Sequence, residues 1–236
     1  MILFMKRIML AALVFAASAP ALAAERRHSV TDFDRVSVEG PYPVTLATGK
    51  APSAIVTGSP QALDRVSVSV QGRTLRIRPN RSAWGGYPSE GAGPVTIALT
   101  GHDLRGVTVI GSGSLTVDKA RNLKFDVALS GSGRLTVGAL EADVVSVGLI
   151  GGGTIALGGR AKTLRATVQG SGDLDAGALS VEDAELNADT AGAIQLAVRR
   201  AAKVRATGAG DVVISGKPAC TVTATGAGQV RCGAAK

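Results

Sequence analysis

From residue 111 onward, apolar and polar positions alternate with a period of two, and the alternation is broken at regular intervals by Gly-x-Gly. The breaks are Gly111-Ser112-Gly113, Gly131-Ser132-Gly133, Gly151-Gly152-Gly153, Gly170-Ser171-Gly172, a weaker Thr190-Ala191-Gly192, Gly208-Ala209-Gly210 and Gly226-Ala227-Gly228. Before each break the apolar series runs Phe125, Val127, Leu129; then Val145, Val147, Leu149; then Leu164, Ala166, Val168. It continues as Ala184, Leu186, Ala188; Ala202, Val204, Ala206; and Cys220, Val222, Ala224. After each break come pairs such as Leu115 and Val117, Leu135 and Val137, and Ile155 and Leu157. Strict alternation of this kind marks a strand with one face buried. The period and the glycine density exclude helix.

The second glycines of the breaks stand 20, 20, 19, 20, 18 and 18 residues apart. A clock of that length marks a stacked repeat. Each repeat reads as strand, Gly-x-Gly bend, strand and second turn, the second turns including Asp118–Asn122 and Gly158–Lys162. A rung of extended chain has a contour of about 63 Å, which two walls ~10 Å apart largely use up. The predicted fold is therefore all-β, a flattened parallel β-solenoid (β-helix) with two main walls and rungs of ~18–20 residues. Parallel crossovers make it right-handed.

Parity points the glycines of each bend inward, where a Cβ would strike the opposite wall or forbid a turn with φ > 0. The same motif in a phosphate-binding loop needs a strand-to-helix context and a third glycine or Lys-Ser/Thr, neither of which is present. The middle residues of the bends form a small, smooth column, read as a tight corner rather than a packing surface. Outward positions give a check on register. Arg165, Glu185 and Lys203 fall at equivalent places on successive rungs, so stacking pairs opposite charges.

Residues 24–110 form an N-terminal β region in which residues 33–110 keep the alternation without the glycine clock, with strands legible at 36–38, 44–46, 54–56, 66–70, 75–77 and 95–99 and a hairpin turn at Gly72. This N-terminal β region is expected to cap or extend the Gly-x-Gly solenoid of residues 111–236. Residues 1–23 read as a secretory signal peptide, with Lys6 and Arg7, an apolar Ile8–Ala17 and an Ala21-Leu22-Ala23 cleavage pattern. No later segment has the length of a membrane helix, and no cysteine follows the cleavage site to take a lipid anchor. The expected location is outside the cytoplasm of a Gram-negative bacterium, periplasmic, at the cell surface or secreted.

Loss of the leader takes the net charge from +8 to +6. The charges are scattered and aromatics are 3% of the chain, which argues against a nucleic-acid partner. Cys220 and Cys232 are the only cysteines. In an oxidising compartment this pair reads as a disulfide stapling the last repeats, two buried thiols being the alternative. No cofactor is expected.

Candidate chemistry is thin. Pro79–Pro94 is a Gly/Pro-rich loop holding Trp84, Tyr87 and Arg81. Aromatics on a loop favour binding, sugar stacking included, unless Trp84 folds back over the end of the core. Asp173 and Asp175 lie outward on one strand, with Glu182, Asp183, Glu185 and Asp189 following. They are a weak calcium candidate and the best available catalytic pair. His28 and His102 stand far apart, with His28 in an expected frayed terminus, and no Cys/His spacing resembles a zinc site.

Phe33-Asp34-Arg35-Val36-Ser37-Val38-Glu39-Gly40, the Leu75-Arg76-Ile77 strand and the Gly-Ser-Gly repeats resemble the head GIN domain family, a bacterial group named for auto-transporter adhesins. The resemblance covers roughly residues 30–232. It implies an exported solenoid-like protein and supplies no active-site residues. The functional expectation is a non-enzymatic, adhesin-like module for a surface, glycan or protein partner, with homo-oligomerisation through the solenoid ends left open. A structural envelope module without its own ligand and a polysaccharide-active β-helix enzyme are the alternatives.

Overall fold

The computed structural model describes residues 24–80 and 93–234. It is a parallel β-solenoid of about six turns, built as one continuous 16-stranded sheet. Strands β9 (Ser114–Gly131), β10 (Arg134–Gly151), β11 (Thr154–Gly170) and β12 (Asp173–Thr190) each run through most of a turn. Strands β13 (Ile194–Ala206), β14 (Val212–Ser215), β15 (Ala219–Ala224) and β16 (Val230–Ala234) complete the stack.

All of these pair in parallel and nearly in register. One inward column is Leu115, Leu135, Ile155, Leu174, Ile194, Val212 and Val230. Another is Phe125, Val145, Leu164, Ala184, Ala202 and Cys220. Alternation in sequence thus becomes stacking in space, and each buried Leu or Val adds roughly 1.5–3 kcal/mol of transfer free energy.

The corner glycines have two separate reasons to be glycine. Gly111, Gly131, Gly151 and Gly170 take φ of +105°, +120°, +112° and +110°, a region closed to side chains. A Cβ on Gly153 or Gly172 would lie 2.6 or 2.5 Å from the carbonyl oxygen of Gly133 or Gly153, on the preceding turn. The stacked carbonyl excludes a side chain there, and so do the inward Leu129 and Leu149 side chains of the facing wall, whose Cδ2 atoms would lie 2.7 and 3.0 Å away. The close approach of the stacked carbonyls serves the hydrogen bonds that continue the sheet around the bend. Arg134 N donates to Gly113 O at 3.0 Å and Thr154 N to Gly133 O at 3.0 Å. At Thr190 the corner changes. Its buried hydroxyl donates to Gly172 O at 3.2 Å and accepts from Gly192 N at 3.0 Å.

The second turn is a short paired side rather than a loop. Ala120, Leu140 and Ala161 are buried there, and the ladder continues through Leu140↔Ala120 and Glu141↔Arg121. A register shift between Val137 and Leu140 in the β10–β11 ladder lets this side turn away from the wall. The solenoid has its two main walls and this narrow third side.

The N-terminal strands enter the stack out of chain order. Strands β2 (Arg35–Glu39) and β3 (Pro43–Thr48) form one turn around the Gly40 corner, where φ is +101°. Strands β4 (Ser53–Gly58), β5 (Val66–Gln71), β6 (Thr74–Pro79), β7 (Thr96–Gly101) and β8 (Gly106–Gly111) follow. Strand β2 lies between β6 and β8, and β3 lies between β7 and β9, all parallel. The β2–β3 turn is therefore inserted between strands that come later in sequence.

Beyond it, β4 and β5 run antiparallel to β7 and β6 and are joined by the helix α1 (Pro60–Asp64), which Ser59 caps by accepting from Ala62 N at 3.1 Å. Strand β1 (Ala24–His28) covers the edge of β4. His28 faces Ala54 in that pair, so it sits in a strand and not in a frayed end.

Asp34 fastens this arrangement. It is buried, and its carboxylate accepts from Arg73 Nε at 2.7 Å and lies 3.6 Å from Arg105 Nε. These three residues immediately precede β2, β6 and β8. The backbone repeats the clasp, with Asp34 N on Arg73 O at 2.9 Å and Arg105 N on Asp34 O at 2.7 Å. Beside it Phe33 is buried against Gly101, where a Cβ would meet the ring at 3.0 Å.

Cys220 and Cys232 form a disulfide between β15 and β16 with Cα atoms 6.7 Å apart. Closing a loop of this length is worth about 3 kcal/mol in the chain-entropy account. Cys220→Ser with Cys232→Ser should lower the unfolding free energy by about that amount. Denaturant melts of the mature chain with and without the bond check this, and equal midpoints would contradict it.

Candidate binding surface

Stacking sets outward side chains in columns about 4.8 Å apart. The Arg165–Glu185–Lys203 column forms as the spacing requires, with both Arg165 Nε and Lys203 Nζ 4.0 Å from the Glu185 carboxylate. A second column, Arg121–Glu141–Arg160, runs along the narrow third side. Arg160 donates to Glu141 at 2.8 Å and Arg121 lies at 3.7 Å. The Arg160 hydrogen bond, helped by the Arg121 charge, holds the Glu141 carboxyl below its usual range. Next to it, Lys162 pairs with Asp143 at 2.8 Å, and Arg200 grips Asp183 through two nitrogens. These groups are exposed, so their pairing orders the surface more than it stabilises the fold.

This charged side carries two open clefts that share the Arg121–Glu141–Arg160 ridge. One, about 580 Å³, also takes in Leu123, Asp143, Lys162, Glu182 and Arg199. The other, about 620 Å³, reaches toward Thr48, His102, Asp103 and Lys119. Leu123 is 75% exposed between cations, an apolar point in a polar rim. Arg121 and Arg160 fall in segments that read as turns in the sequence. The recurrence of Arg121, Glu141 and Arg160 at intervals of 20 and 19 residues was the signal that would have found the ridge.

Trp84, Tyr87 and Arg81 lie outside the described residues. Asp173 and Asp175 are exposed on one strand, as expected, but each has a local structural partner. Asp173 accepts from Ala193 N at 2.8 Å on the next turn, and Asp175 accepts from Gly177 N at 3.1 Å. Asp211 repeats the first contact with Gln229 N at 2.9 Å. The aspartate after Gly-x-Gly thus ties a corner to its successor. Glu185 and Asp183 are held by cations on a different part of β12. Among the described residues no three His, Cys, Asp or Glu side chains converge as a metal site. His28 lies on β1, its pKa lowered by burial and by Arg26, while His102 follows β7.

The architecture defines a repeat solenoid that displays its charged and polar groups on walls and a shallow ridge. The chain belongs to the head GIN domain family, described as putative auto-transporter adhesin, whose profile matches residues 32–218. Similar folds occur in a putative adhesin from Bacteroides fragilis (19% identity, TM-score 0.82, covering 89% of this chain and 96% of that one) and in a putative adhesin from Parabacteroides distasonis (19%, 0.72, 89% and 97%). A putative lipid binding protein from Parabacteroides distasonis is similar at 21% identity and TM-score 0.71, covering 89% and 96%. No curated protein matches the chain. Among the described residues no helix is long and apolar enough to cross a membrane.

Proposed function

We propose that this chain is an exported, non-enzymatic adhesin-like module that holds a glycan or protein partner at the cell surface. Membership of the head GIN domain family carries the reading. The regular outward columns and the open clefts beside the Arg121–Glu141–Arg160 ridge support it. Such surfaces suit extended ligands that make many weak contacts. Trp84, Tyr87 and Arg81, in the Gly/Pro-rich 79–94 segment, are the proposed contact residues, since aromatic side chains suit stacking on a ligand.

The test is retention of the purified mature chain on a glycan array and on intact bacterial cells. Trp84→Ala should cut retention at least about tenfold, the scale of losing one well-placed aromatic contact. No retained ligand, or retention unchanged by Trp84→Ala and Tyr87→Ala, would remove this assignment.

A further inference from the structure

The two ends of the stack are finished differently. At the N-terminal end the sheet turns antiparallel, and β1 brings Glu25, Arg26 and Arg27 to its edge. Charged edge strands of that kind resist pairing with another chain. In the last turn β16 carries Arg231, which is paired to Asp211 on the turn before, and β15 carries no charge at all. Among the described residues β15 pairs only with β13, and β16 only with β14, so the outer edge of each strand presents unpaired backbone groups.

The core also runs out to solvent there. Val204 is 2% exposed, but Val222, the next residue in its column, is 42% exposed. Ala206 is buried, and Ala224 above it is exposed. The sequence of β15, Ala-Cys-Thr-Val-Thr-Ala, carries no charge or proline. The disulfide from Cys220 fixes the shape of this open turn.

We propose that this terminal turn docks on the same turn of a second copy, with a two-fold axis passing through Val222. The occupant follows from self-complementarity. Antiparallel pairing centred on Val222 sets Val222 against its own mate, Cys220 against Ala224, and Thr221 against Thr223, with each inward residue opposite an inward one. Threonine pairs across strands are favourable, and no like charges meet. The same axis brings the Gly226-Ala227-Gly228 corner of one copy over the Lys217 turn of the other. Corner carbonyls on each turn accept from the next turn, as Gly208 O does from Gly228 N at 3.3 Å. The carbonyls of the last corner thus face outward, where the Lys217 ammonium, which has no ion pair among the described residues, can donate to them. A two-fold contact closes on itself and gives a dimer rather than a fibre. Six residues of strand span only ~20 Å, so the dimer is a concentration-dependent one.

Sedimentation of the mature chain over a concentration series should show monomer giving way to dimer. A variant with both Thr221→Lys and Thr223→Lys sets like charges opposite each other twice and should weaken association at least about tenfold. The matching double-glutamate variant should behave in the same way. Both sites are exposed and outward, and circular dichroism verifies that the fold is kept. Mixing the lysine and glutamate variants should restore a heterodimer, which misfolded protein would not do. A mass that stays monomeric at every concentration overturns the proposal. So does association that both variants retain, or failure of the mixture to associate. Protection in the monomer of those β15 amides that point away from β13, showing that another segment covers the edge, would overturn it as well. The outcome is independent of which ligand the walls bind.

Discussion

Gly151→Ala should cost the protein about 3 kcal/mol or more of unfolding free energy, since it combines backbone strain with overpacking. Gly151 sits at φ +112°, and a Cβ there would come within 2.7 Å of Gly131 O. Neither term can relax locally, because the carbonyl that is struck already accepts the hydrogen bond from Gly152 N at 3.0 Å. Relief would require separating two turns of the stack. The control lies three residues away. Gly148 faces outward on the same strand, and a Cβ placed on it meets nothing within 4 Å. Gly148→Ala should be neutral or add up to about 1 kcal/mol, by restricting the unfolded chain. Denaturant melts of the two variants should fall on opposite sides of, or at very unequal distances from, the parent. Equal midpoints would show that the corners do not stack as described.

The second large effect is expected at Phe125. Its inward column narrows along the stack, from Phe125 through Val145 and Leu164 to Ala184 and Ala202. A parallel column narrows from Leu129 and Leu149 through Val168 to Ala188 and Ala206. The spacing of the corners shortens as well, from 20 to 18 residues, so the interior beneath these two columns is tapered, while Leu186 between them fills the middle of the wall. Phe125 is fully buried at the wide end, and Phe125→Ala should cost about 3–5 kcal/mol through lost transfer energy and an unfilled cavity. The taper also makes the reverse change unfavourable at the narrow end, where Ala202→Phe should cost about 1–3 kcal/mol by overpacking. Thermal and urea unfolding of both variants test this. A tolerated Ala202→Phe would mean that the interior keeps a constant width.

Much of the repeat region was legible because its information is local and periodic. Strand identity, the corner column and the Arg165–Glu185–Lys203 pairing all follow from a count of residues between equivalent positions, and the Cys220–Cys232 bond from their being the one pair of cysteines. The N-terminal order was not legible, since nothing in the 35–39 segment announces that its neighbours will be 74–79 and 106–111. That pairing is selected by Asp34 meeting Arg73 and Arg105, a contact between residues with no fixed spacing. The α1 helix was missed for another reason. At five residues it is a capped turn between strands, too short to show a period. The charged ridge was hidden because its members sit in segments that read as turns, where a charge is the expected solvent-facing residue. Family resemblance reached the fold and left the contact residues open, as a pattern made of glycine and aliphatic positions must.

The inserted β2–β3 turn fixes an order of events. Contacts among the repeats join residues about twenty apart, so those turns can zip up one on the next with little loop-closure entropy. The first strands have to wait. Arg35 lies opposite both Thr74 and Gly106, so its slot does not exist until both later strands are present. A chain made N-terminus first therefore cannot complete the pairings of its leading strands until residues 106–111 are available to them.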